Sequence, residues 1–309
     1  MGKRALVFPG QGSQAVGMGA DLYDEPVVRA TYDEAGAVLG YDVAQVSFQG
    51  PAETLSRTDV TQPALLANSI AVLRLAQERG LRFDAVLGHS VGEYSALVAA
   101  DVLSLGEALV LVRRRGEAML AAALRAPGGM AAVMGLEDGA VEELCAAVGD
   151  LWPANYNSPG QVVVSGTARA LETLRERAPQ AGARKVVPLQ VSGAFHSPLM
   201  EPAAAQMSGP LAAAAWGEPQ VPFFSVCSVR FERGGLADLL RRQIVSPVRF
   251  TQSLRELFAQ GYDSYLEVGP GSVLCGLIRR IEPAATAAHV GDAPTLAQTG
   301  RRPDQGGSQ

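Results

Sequence analysis

The sequence predicts an α/β fold in which helices cover both faces of a parallel sheet. Short apolar runs alternate with longer segments of helical periodicity along most of the 309 residues, and this order is typical of parallel strands joined by crossover helices. With 48% hydrophobic and 18% charged residues, the chain can form a sizeable core. Its length suits one large domain, or a large and a small one.

The first part of the chain supplies two strands and three helices of this predicted sheet. Residues 4–8 and 85–87 are short apolar runs, as expected for strands buried on both faces. Helices are predicted over residues 62–79, 92–100 and 105–122. Because strand and helix alternate here, the two strands are expected to pair in parallel.

The pattern changes near residue 127, where Pro127-Gly128-Gly129 interrupts the chain. Up to residue 191 the predicted order is strand, helix, two strands, helix and strand, and Asn157-Ser158-Pro159-Gly160 forms the turn between the middle strands. This order is found in ferredoxin-like folds. We therefore expect residues 127–191 to be a small ferredoxin-like domain, inserted into a large domain formed by residues 1–126 and 192–282.

The rest of the large domain returns to alternating helices and strands. Helices are predicted over residues 198–215, 236–243, 251–260 and 272–281, and strands over residues 222–226 and 264–268. The tail, residues 283–309, is rich in Ala, Gly, Gln and Pro. We expect this tail to be disordered.

Composition and charge exclude several classes of function. The net charge of −5 argues against nucleic acid as the main partner. No run of about 18 apolar residues is present, so no membrane span is predicted. The apolar run at the N-terminus is too short for a signal peptide, and a cytoplasmic location is expected. The three cysteines are scattered along the chain and predict neither disulfides nor a metal site.

Ser90 is the strongest candidate for a reactive residue. It is the centre of Gly88-His89-Ser90-Val91-Gly92, which follows the strand predicted over residues 85–87 and precedes a predicted helix. A serine between glycines at a strand-to-helix turn is typical of the nucleophile of α/β-hydrolases. The large domain is therefore predicted to be α/β-hydrolase-like. The backbone N–H of Val91, at the start of the helix, can donate to a developing oxyanion.

A serine hydroxyl needs a base to react near neutral pH, and histidine is the usual one. The chain has three histidines. His289 lies in the predicted tail, and His89 adjoins Ser90, where neighbouring side chains point apart, so a structural role is expected for it. His196 precedes a predicted helix and is the candidate base. The alternative for His196 is a purely structural role at the start of that helix.

Eight motifs occur in order over residues 4–281. They are Phe8-Pro9-Gly10-Gln11-Gly12-Ser13-Gln14, Thr61-Gln62-Pro63-Ala64, Gly88-His89-Ser90-Val91-Gly92-Glu93-Tyr94, Arg115-Gly116, Asn155-Tyr156-Asn157-Ser158-Pro159-Gly160, Gly193-Ala194-Phe195-His196-Ser197-Pro198, Ser246-Pro247-Val248 and Glu267-Val268-Gly269-Pro270-Gly271. In this combination the chain resembles the malonyl-CoA:acyl carrier protein transacylases and the related acyltransferase domains of polyketide synthases.

The resemblance implies a catalytic dyad of Ser90 and His196. In this family the histidine is oriented by a backbone carbonyl and not by an aspartate, and the matching position is Gln243. A neutral acceptor fixes the histidine tautomer but stabilises the imidazolium less than a carboxylate does. The resemblance also implies an oxyanion hole made of the backbone N–H groups of Gln11 and Val91.

Arg115 carries the expectation about the substrate. It lies 25 residues after Ser90, where the family has an arginine for the malonyl carboxylate. A carboxylate in a dehydrated pocket needs a charged partner, and a guanidinium offers a planar two-pronged match. The neighbouring Arg113 and Arg114 are expected to lie on a solvated helix face.

Three further positions are assigned to substrate binding by the resemblance. Phe195, directly before the histidine, is typical of malonyl-selective members, because its ring fills the space of a 2-methyl group. One methyl group changes discrimination by about 1–3 kcal/mol, so this predicts a preference. Gln62 matches a family position near the acyl group, and Asn157 lies in a turn expected to border the cleft.

The implied activity is transfer of a malonyl group from malonyl-CoA to the phosphopantetheine thiol of an acyl carrier protein through a malonyl-serine. No bound cofactor and no metal are expected. The motif Ala194-Phe195-His196 favours a free-standing enzyme of polyketide synthesis, with fatty-acid synthesis as the other possibility. The same dyad would serve an acyl-thioester hydrolase, and a catalytically idle docking module is a second alternative.

Carrier proteins are acidic, so a net-negative chain needs a local basic patch to bind one. The candidates lie on the small domain and near the end of the large one. They are Arg169, Arg175, Arg177, Arg184, Lys185, Arg279 and Arg280.

Overall fold

The computed structural model describes residues 2–299, which form two sheets and the helices around them. The strands are β1 (Lys3–Phe8), β2 (Ala85–Gly88), β3 (Gly128–Met134), β4 (Leu151–Ser158), β5 (Gln161–Thr167), β6 (Lys185–Pro188), β7 (Phe223–Ser225), β8 (Arg230–Glu232), β9 (Tyr262–Val268) and β10 (Thr286–Val290). The helices are α1 (Pro26–Leu39), α2 (Val43–Gln49), α3 (Ala52–Ser56), α4 (Thr58–Glu78), α5 (Gly92–Ala99), α6 (Leu105–Arg125), α7 (Asp138–Val148), α8 (Ala168–Arg177), α9 (Glu201–Ala213), α10 (Leu236–Gln243), α11 (Phe250–Ala259), α12 (Val273–Ile281) and α13 (Ala293–Thr299).

The larger sheet has six strands in the order β10-β9-β1-β2-β7-β8. β1 pairs in parallel with both β2 and β9, so that Leu6 lies beside Val86 on one side and beside Leu266 on the other. β8 pairs antiparallel with β7 at the edge of the sheet. The predicted α/β class and the parallel pairing of the central strands are therefore confirmed, with one antiparallel edge strand added.

Alternate residues of β1 supply the two cores that cover this sheet. Leu6 and Phe8 join the larger core, together with buried residues of α1, α4, α5, α6 and α9. Ala5 and Val7 join a second core with residues of α11 and α12. Because successive side chains of a strand point to opposite faces, a continuous apolar run is required when both faces are covered.

The smaller sheet has four antiparallel strands in the order β4-β5-β3-β6. α7 and α8 pack on it through a core that includes Val141, Leu144 and Leu174. β4 is attached to the loop that precedes α11, because Tyr156 N–H donates to the carbonyl of Val248 at 2.9 Å and Val248 N–H donates to Ala154 at 2.8 Å. This attachment fixes one wall of the cleft between the two sheets.

The expectation that the tail is disordered is wrong for its described part. β10 pairs in parallel with β9, from Thr286 beside Ser264 to Val290 beside Val268, and α13 follows it. Val290 and Leu296 are buried and anchor the segment. The strand consists mainly of small residues, so its own hydropathy is weak, and its main-chain bonds depend on a partner from another part of the chain. Residues 300–309 of that expectation lie outside the described residues.

Helices α1, α2 and α3, between residues 26 and 56, fill a stretch for which no element is predicted, and β8 is likewise unpredicted. Pro26 occupies the first turn of α1, and Asp42 caps α2 by accepting the N–H of Gln45 at 2.8 Å. Both are recognised start signals for helices. Within residues 2–299, no helix has the length and apolar character needed to cross a bilayer.

Candidate active site

Ser90 lies at the turn between β2 and α5, as predicted. Its φ of 53° is in the left-handed region, which holds the side chain away from the flanking strand and helix. A Cβ at Gly92 would lie 2.2 Å from the carbonyl oxygen of Phe8, so only glycine lets the start of α5 pack this closely against the end of β1. The local pattern of glycines thus determines where the hydroxyl is placed.

His196 reaches Ser90 from the other side of the cleft. The Ser90 Oγ and His196 Nε2 are 2.7 Å apart. His196 Nδ1 lies 2.9 Å from the backbone carbonyl of Gln243 and 3.1 Å from that of Ser246. Carbonyls only accept hydrogen bonds, so Nδ1 carries the proton and the bare Nε2 accepts the Ser90 hydroxyl. The imidazole therefore has the tautomer that a general base requires.

Two serine hydroxyl groups hold the loop that carries His196 by donating hydrogen bonds to its backbone carbonyls. Ser165, on β5, donates to the backbone carbonyl of Phe195. Ser197 donates to the carbonyl of Ala194 at 2.6 Å. His196 itself has a φ of 57°. The small sheet thus contributes to placing the histidine, although none of its described residues forms a hydrogen bond with the serine hydroxyl.

Arg115, on α6, is buried with 1% of its surface exposed, and its guanidinium is held by three oxygens. Its Nη1 donates to Gln62 Oε1 at 2.8 Å, and its Nη2 donates to Gln243 Oε1 at 3.0 Å and to Ser90 Oγ at 3.2 Å. A Cβ at Gly116 would lie 2.7 Å from the carbonyl oxygen of Thr58, so this glycine lets α6 approach the start of α4.

The arginine has donor capacity left, because its Nε is buried without an acceptor within residues 2–299. It forms no ion pair with any carboxylate of the described chain. Burial lowers its pKa, and the charge on Glu93 opposes that shift. A buried cation without a carboxylate partner in the described chain suits an anionic ligand. Arg113 and Arg114, in contrast, are exposed, as predicted.

These groups line one cavity of about 240 Å³. It reaches the surface at Val273, which is 54% exposed. The predicted site residues that line it are Gln11, Gln62, Ser90, Val91, Arg115, Asn157, Phe195 and His196. Gln243 lies behind Arg115 and His196 and contacts both.

The backbone N–H groups of Gln11 and Val91 are available at this cavity. Neither donates to any acceptor within the described residues 2–299. Unpaired N–H groups next to a nucleophile are what an oxyanion hole requires. The Gln11 side chain donates to Thr58 Oγ1 at 3.3 Å, which holds the turn after β1 against α4.

His89 has the structural place that was predicted for it. Its Nε2 donates to Asn157 Oδ1 at 3.0 Å, and its ring contacts that of Phe250 edge to face. Burial lowers its pKa, so the ring is neutral. It thereby links the turn at Ser90 to β4 of the small sheet. Asn157 borders the cavity, as expected, and its amide oxygen is occupied by His89.

Three residues at or behind the cavity are assigned no role from the sequence, although two of them, Glu93 and Asn155, lie in its motifs. Glu93 follows the nucleophile by three residues and contacts Gln243. Met119 is one helical turn beyond Arg115 and accepts a weak hydrogen bond from Gln62 at 3.7 Å. Asn155 lies two residues before Asn157 and lines the cavity too. Met119 and Asn155 could be predicted from their helix and strand spacing relative to Arg115 and Asn157. Glu93 could not, because its contact is with Gln243, which is 150 positions away. Within residues 2–299, no group of three or more His, Cys, Asp or Glu side chains is placed to hold a metal.

The environment of His196 predicts an unusual titration. Burial, followed by the charge on Arg115, lowers the pKa of His196 to about 3, so the ring stays neutral at neutral and mildly acidic pH. In protein labelled with ¹⁵N only at its three histidines, we expect the His196 signals to remain those of a neutral ring from about pH 8 to about pH 5. The His196 signals are identified as those that disappear in a His196→Gln variant. A titration midpoint of His196 near the ordinary pKa of histidine would contradict this account of its environment.

Comparison with known proteins identifies the family. Residues 5–304 match the acyl transferase domain. The chain is 43% identical over 303 residues to a malonyl CoA-acyl carrier protein transacylase of Bacillus subtilis (strain 168), with 96% of each covered. It is 44% identical over 300 residues to the protein of that name from Escherichia coli (strain K12), with 95% of this chain and 97% of that protein covered.

Comparison with solved structures points to the same family. An acyl carrier protein S-malonyltransferase of Vibrio cholerae O1 superposes with a TM-score of 0.93 at 43% identity, covering 96% of this chain and 99% of that one. A malonyl-transacylase in complex with its type II PKS acyl-carrier protein superposes equally well at 41% identity, covering 96% and 98%. The chain therefore belongs to the acyl transferase family and, within it, to the malonyl-CoA:acyl carrier protein transacylases.

Proposed function

We propose that this protein transfers the malonyl group of malonyl-CoA to the phosphopantetheine thiol of an acyl carrier protein through an ester on Ser90. One observation carries the proposal. The Ser90 hydroxyl contacts two groups: Oγ is 2.7 Å from the unprotonated Nε2 of His196 and 3.2 Å from Nη2 of the buried Arg115. The first contact supplies a base, and the second provides for a substrate that bears its own carboxylate.

The first half of the reaction forms the ester. His196 Nε2 takes the Ser90 proton as Oγ attacks the malonyl thioester carbonyl, and the N–H groups of Gln11 and Val91 stabilise the resulting oxyanion. The tetrahedral intermediate collapses with cleavage of the carbon–sulfur bond. The coenzyme A thiolate takes the proton from the imidazolium and leaves as a thiol. The carbonyl of Gln243 holds the imidazole throughout, through the proton on Nδ1.

The second half reverses these steps with another thiol. The phosphopantetheine thiol of the carrier protein enters the same cavity, His196 takes its proton, and the thiolate attacks the malonyl-serine. The oxyanion forms again in the same place, and its collapse breaks the bond to Oγ, which recovers the proton from His196. No redox cofactor and no metal are needed, because only acyl and proton transfers take place.

Selectivity for malonyl is assigned to two side chains. Arg115, held by Gln62 and Gln243, pairs with the carboxylate in a pocket where an unpaired anion would be costly. Phe195 is buried next to His196 and lines the cavity. We assign to its ring the exclusion of a methyl group on the malonyl carbon. A preference for malonyl over methylmalonyl of about 1–3 kcal/mol follows.

The proposal is tested by following both possible products of malonyl-CoA. In the presence of a phosphopantetheinylated carrier protein, we expect one malonyl-carrier protein to form for each coenzyme A released. Free malonate should accumulate much more slowly. If malonate forms faster than malonyl-carrier protein, the protein is an acyl-thioester hydrolase and the proposal is wrong.

Docking of the acidic carrier protein is predicted to involve α12. Val273 and Leu277 on this helix line the cavity, and Arg280 is exposed three residues after Leu277, on the same face. Arg280→Glu should raise KM for the carrier protein about three- to tenfold, and more than KM for malonyl-CoA, because docking of an acidic protein loses an attraction. Arg177→Glu, on α8, none of whose residues lines the cavity, is the control. Equal effects of the two substitutions would reject this docking face.

We further infer that the two sheets correspond to an α/β-hydrolase-like domain and an inserted ferredoxin-like domain. The strand–turn–helix at Ser90 supports the first description. The strand order β4-β5-β3-β6, with a helix after the first and after the third strand of the segment, supports the second. The core that α7 and α8 share with this sheet supports a boundary near residues 127 and 191.

A further inference from the structure

Glu93 is a buried carboxylate that has no role in the proposed reaction. It lies in the first turn of α5 and is fully buried. Its Oε1 accepts the backbone N–H of Val226 at 2.8 Å, its Oε2 accepts the side-chain amide of Gln243, and the Ser225 hydroxyl also hydrogen-bonds to it. Burial raises the pKa of this carboxyl to about 7, and the three donors and the charge on Arg115 oppose that rise.

Gln243 connects this carboxylate to every reacting group of the site. Its backbone carbonyl accepts from His196, and its Nε2 donates to the backbone carbonyl of Ser90 at 2.9 Å. Its Oε1 accepts from Nη2 of Arg115 at 3.0 Å. The side chain is 1% exposed, so no water replaces these partners. One buried residue therefore contacts the base through its backbone carbonyl, and the Ser90 backbone and the arginine through its side-chain amide.

The orientation of that amide depends on which of its neighbours can only accept and which can only donate. Arg115 only donates, so the amide oxygen must face it. The Ser90 carbonyl only accepts, as does Glu93 when it is ionised, so the amide nitrogen must face them. Rotating the amide by half a turn would set donor against donor at Arg115 and acceptor against acceptor at Ser90. When Glu93 is ionised, its hydrogen bond to the amide is charge-assisted, as is that of Arg115.

We propose that Glu93 is a positioning residue, which fixes the side-chain amide of Gln243 and, through it, the guanidinium of Arg115 that receives the carboxylate of the donor. The inference rests on the proposed function, since it assigns to Arg115 the recognition of malonyl. Glu93 itself does not touch the substrate. Its influence reaches the acyl group through two hydrogen bonds in series, from carboxylate to amide and from amide to guanidinium.

The test compares two donors in the full-length protein. Glu93→Gln keeps the shape of the side chain but replaces one acceptor oxygen by a donor, which must then face either Val226 N–H or the Gln243 amide. Malonyl-CoA needs Arg115 and acetyl-CoA does not. We expect Glu93→Gln to lower the ratio of kcat/KM for malonyl-CoA over acetyl-CoA about tenfold or more. A loss of packing alone would reduce both rates and leave their ratio unchanged.

Glu267→Gln is the matched control. Glu267 is also a fully buried carboxylate, and it accepts the backbone N–H groups of Leu274 at 3.1 Å and Cys275 at 2.8 Å at the start of α12. Within the described residues it forms no hydrogen bond with Gln243 or Arg115. This variant should lower thermal stability and keep the donor ratio of the wild type.

Arg115→Ala separates failure of the inference from failure of the proposed function. If Arg115→Ala lowers the donor ratio but Glu93→Gln leaves it unchanged, the role of Glu93 is wrong and the role of Arg115 stands. If Arg115→Ala also leaves it unchanged, the proposed recognition of malonyl is wrong. Should Glu93→Gln fail to fold, Gln243→Met decides. It removes the amide, keeps the backbone carbonyl and must lower the ratio, and an unchanged ratio overturns the proposal.

Discussion

Replacing Ser90 by Ala lowers kcat/KM for malonyl transfer by about 10⁴-fold or more, because the acyl group then has no oxygen on which to form the ester. His196→Ala should cost a similar factor, since Nε2 is the group that accepts the Ser90 proton at 2.7 Å. The two residues act as one unit. The double variant should therefore be scarcely slower than either single variant.

The measurement is the steady-state rate of malonyl-carrier protein formation, with thermal unfolding of each variant as the check on folding. Ser95→Ala is the matched control, because Ser95 is a buried serine further along α5 that does not line the cavity. It should keep most of the wild-type rate. A Ser90→Ala protein that still transfers malonyl at a comparable rate would exclude a covalent mechanism at this position.

Arg115→Ala is expected to cost about a hundredfold or more in kcat/KM for malonyl-CoA, because the malonyl carboxylate would enter a dehydrated cavity without a counter-charge. Acetyl-CoA has no such carboxylate. The variant should therefore lose most of its preference for malonyl over acetyl. Arg115→Lys should recover only part of it, since an ammonium cannot make the two-pronged contact of a guanidinium.

The two donors are compared by measuring kcat/KM for each with the same carrier protein. Arg113→Ala is the control, because Arg113 lies on the same helix but is exposed and paired with Glu117. It should retain the donor preference of the wild type. An Arg115→Ala protein with an unchanged preference would show that another group recognises the carboxylate.

The elements predictable from the sequence are those whose signal is local. The turn at Ser90 is predicted because the strand, the glycines and the helix adjoin one another. A run of three arginines gives no reason to expect Arg115 to be buried while Arg113 and Arg114 are exposed. That prediction rests on the family resemblance. The structure supplies the physical reason, which is the close approach of α6 to α4 at Gly116.

The features beyond prediction depend on partners distant in sequence. β10 is a strand of small residues, and it is ordered because β9 offers it a complete row of backbone partners. Gln243 was predicted only for its backbone carbonyl. Its side chain matters as well, since it meets Arg115, Ser90 and Glu93, which precede it by 128 to 153 positions. Periodicity and motif spacing carry no information on such contacts.

Intact-protein mass spectrometry tests the central claim most directly. After mixing with malonyl-CoA in the absence of carrier protein, the wild-type protein should gain the mass of one malonyl group, and Ser90→Ala should gain nothing. With malonyl-, methylmalonyl- and acetyl-CoA in competition, the malonyl adduct should dominate. An adduct that persists in Ser90→Ala, or predominant loading of acetyl, would contradict an ester on Ser90 selected by the charge of Arg115.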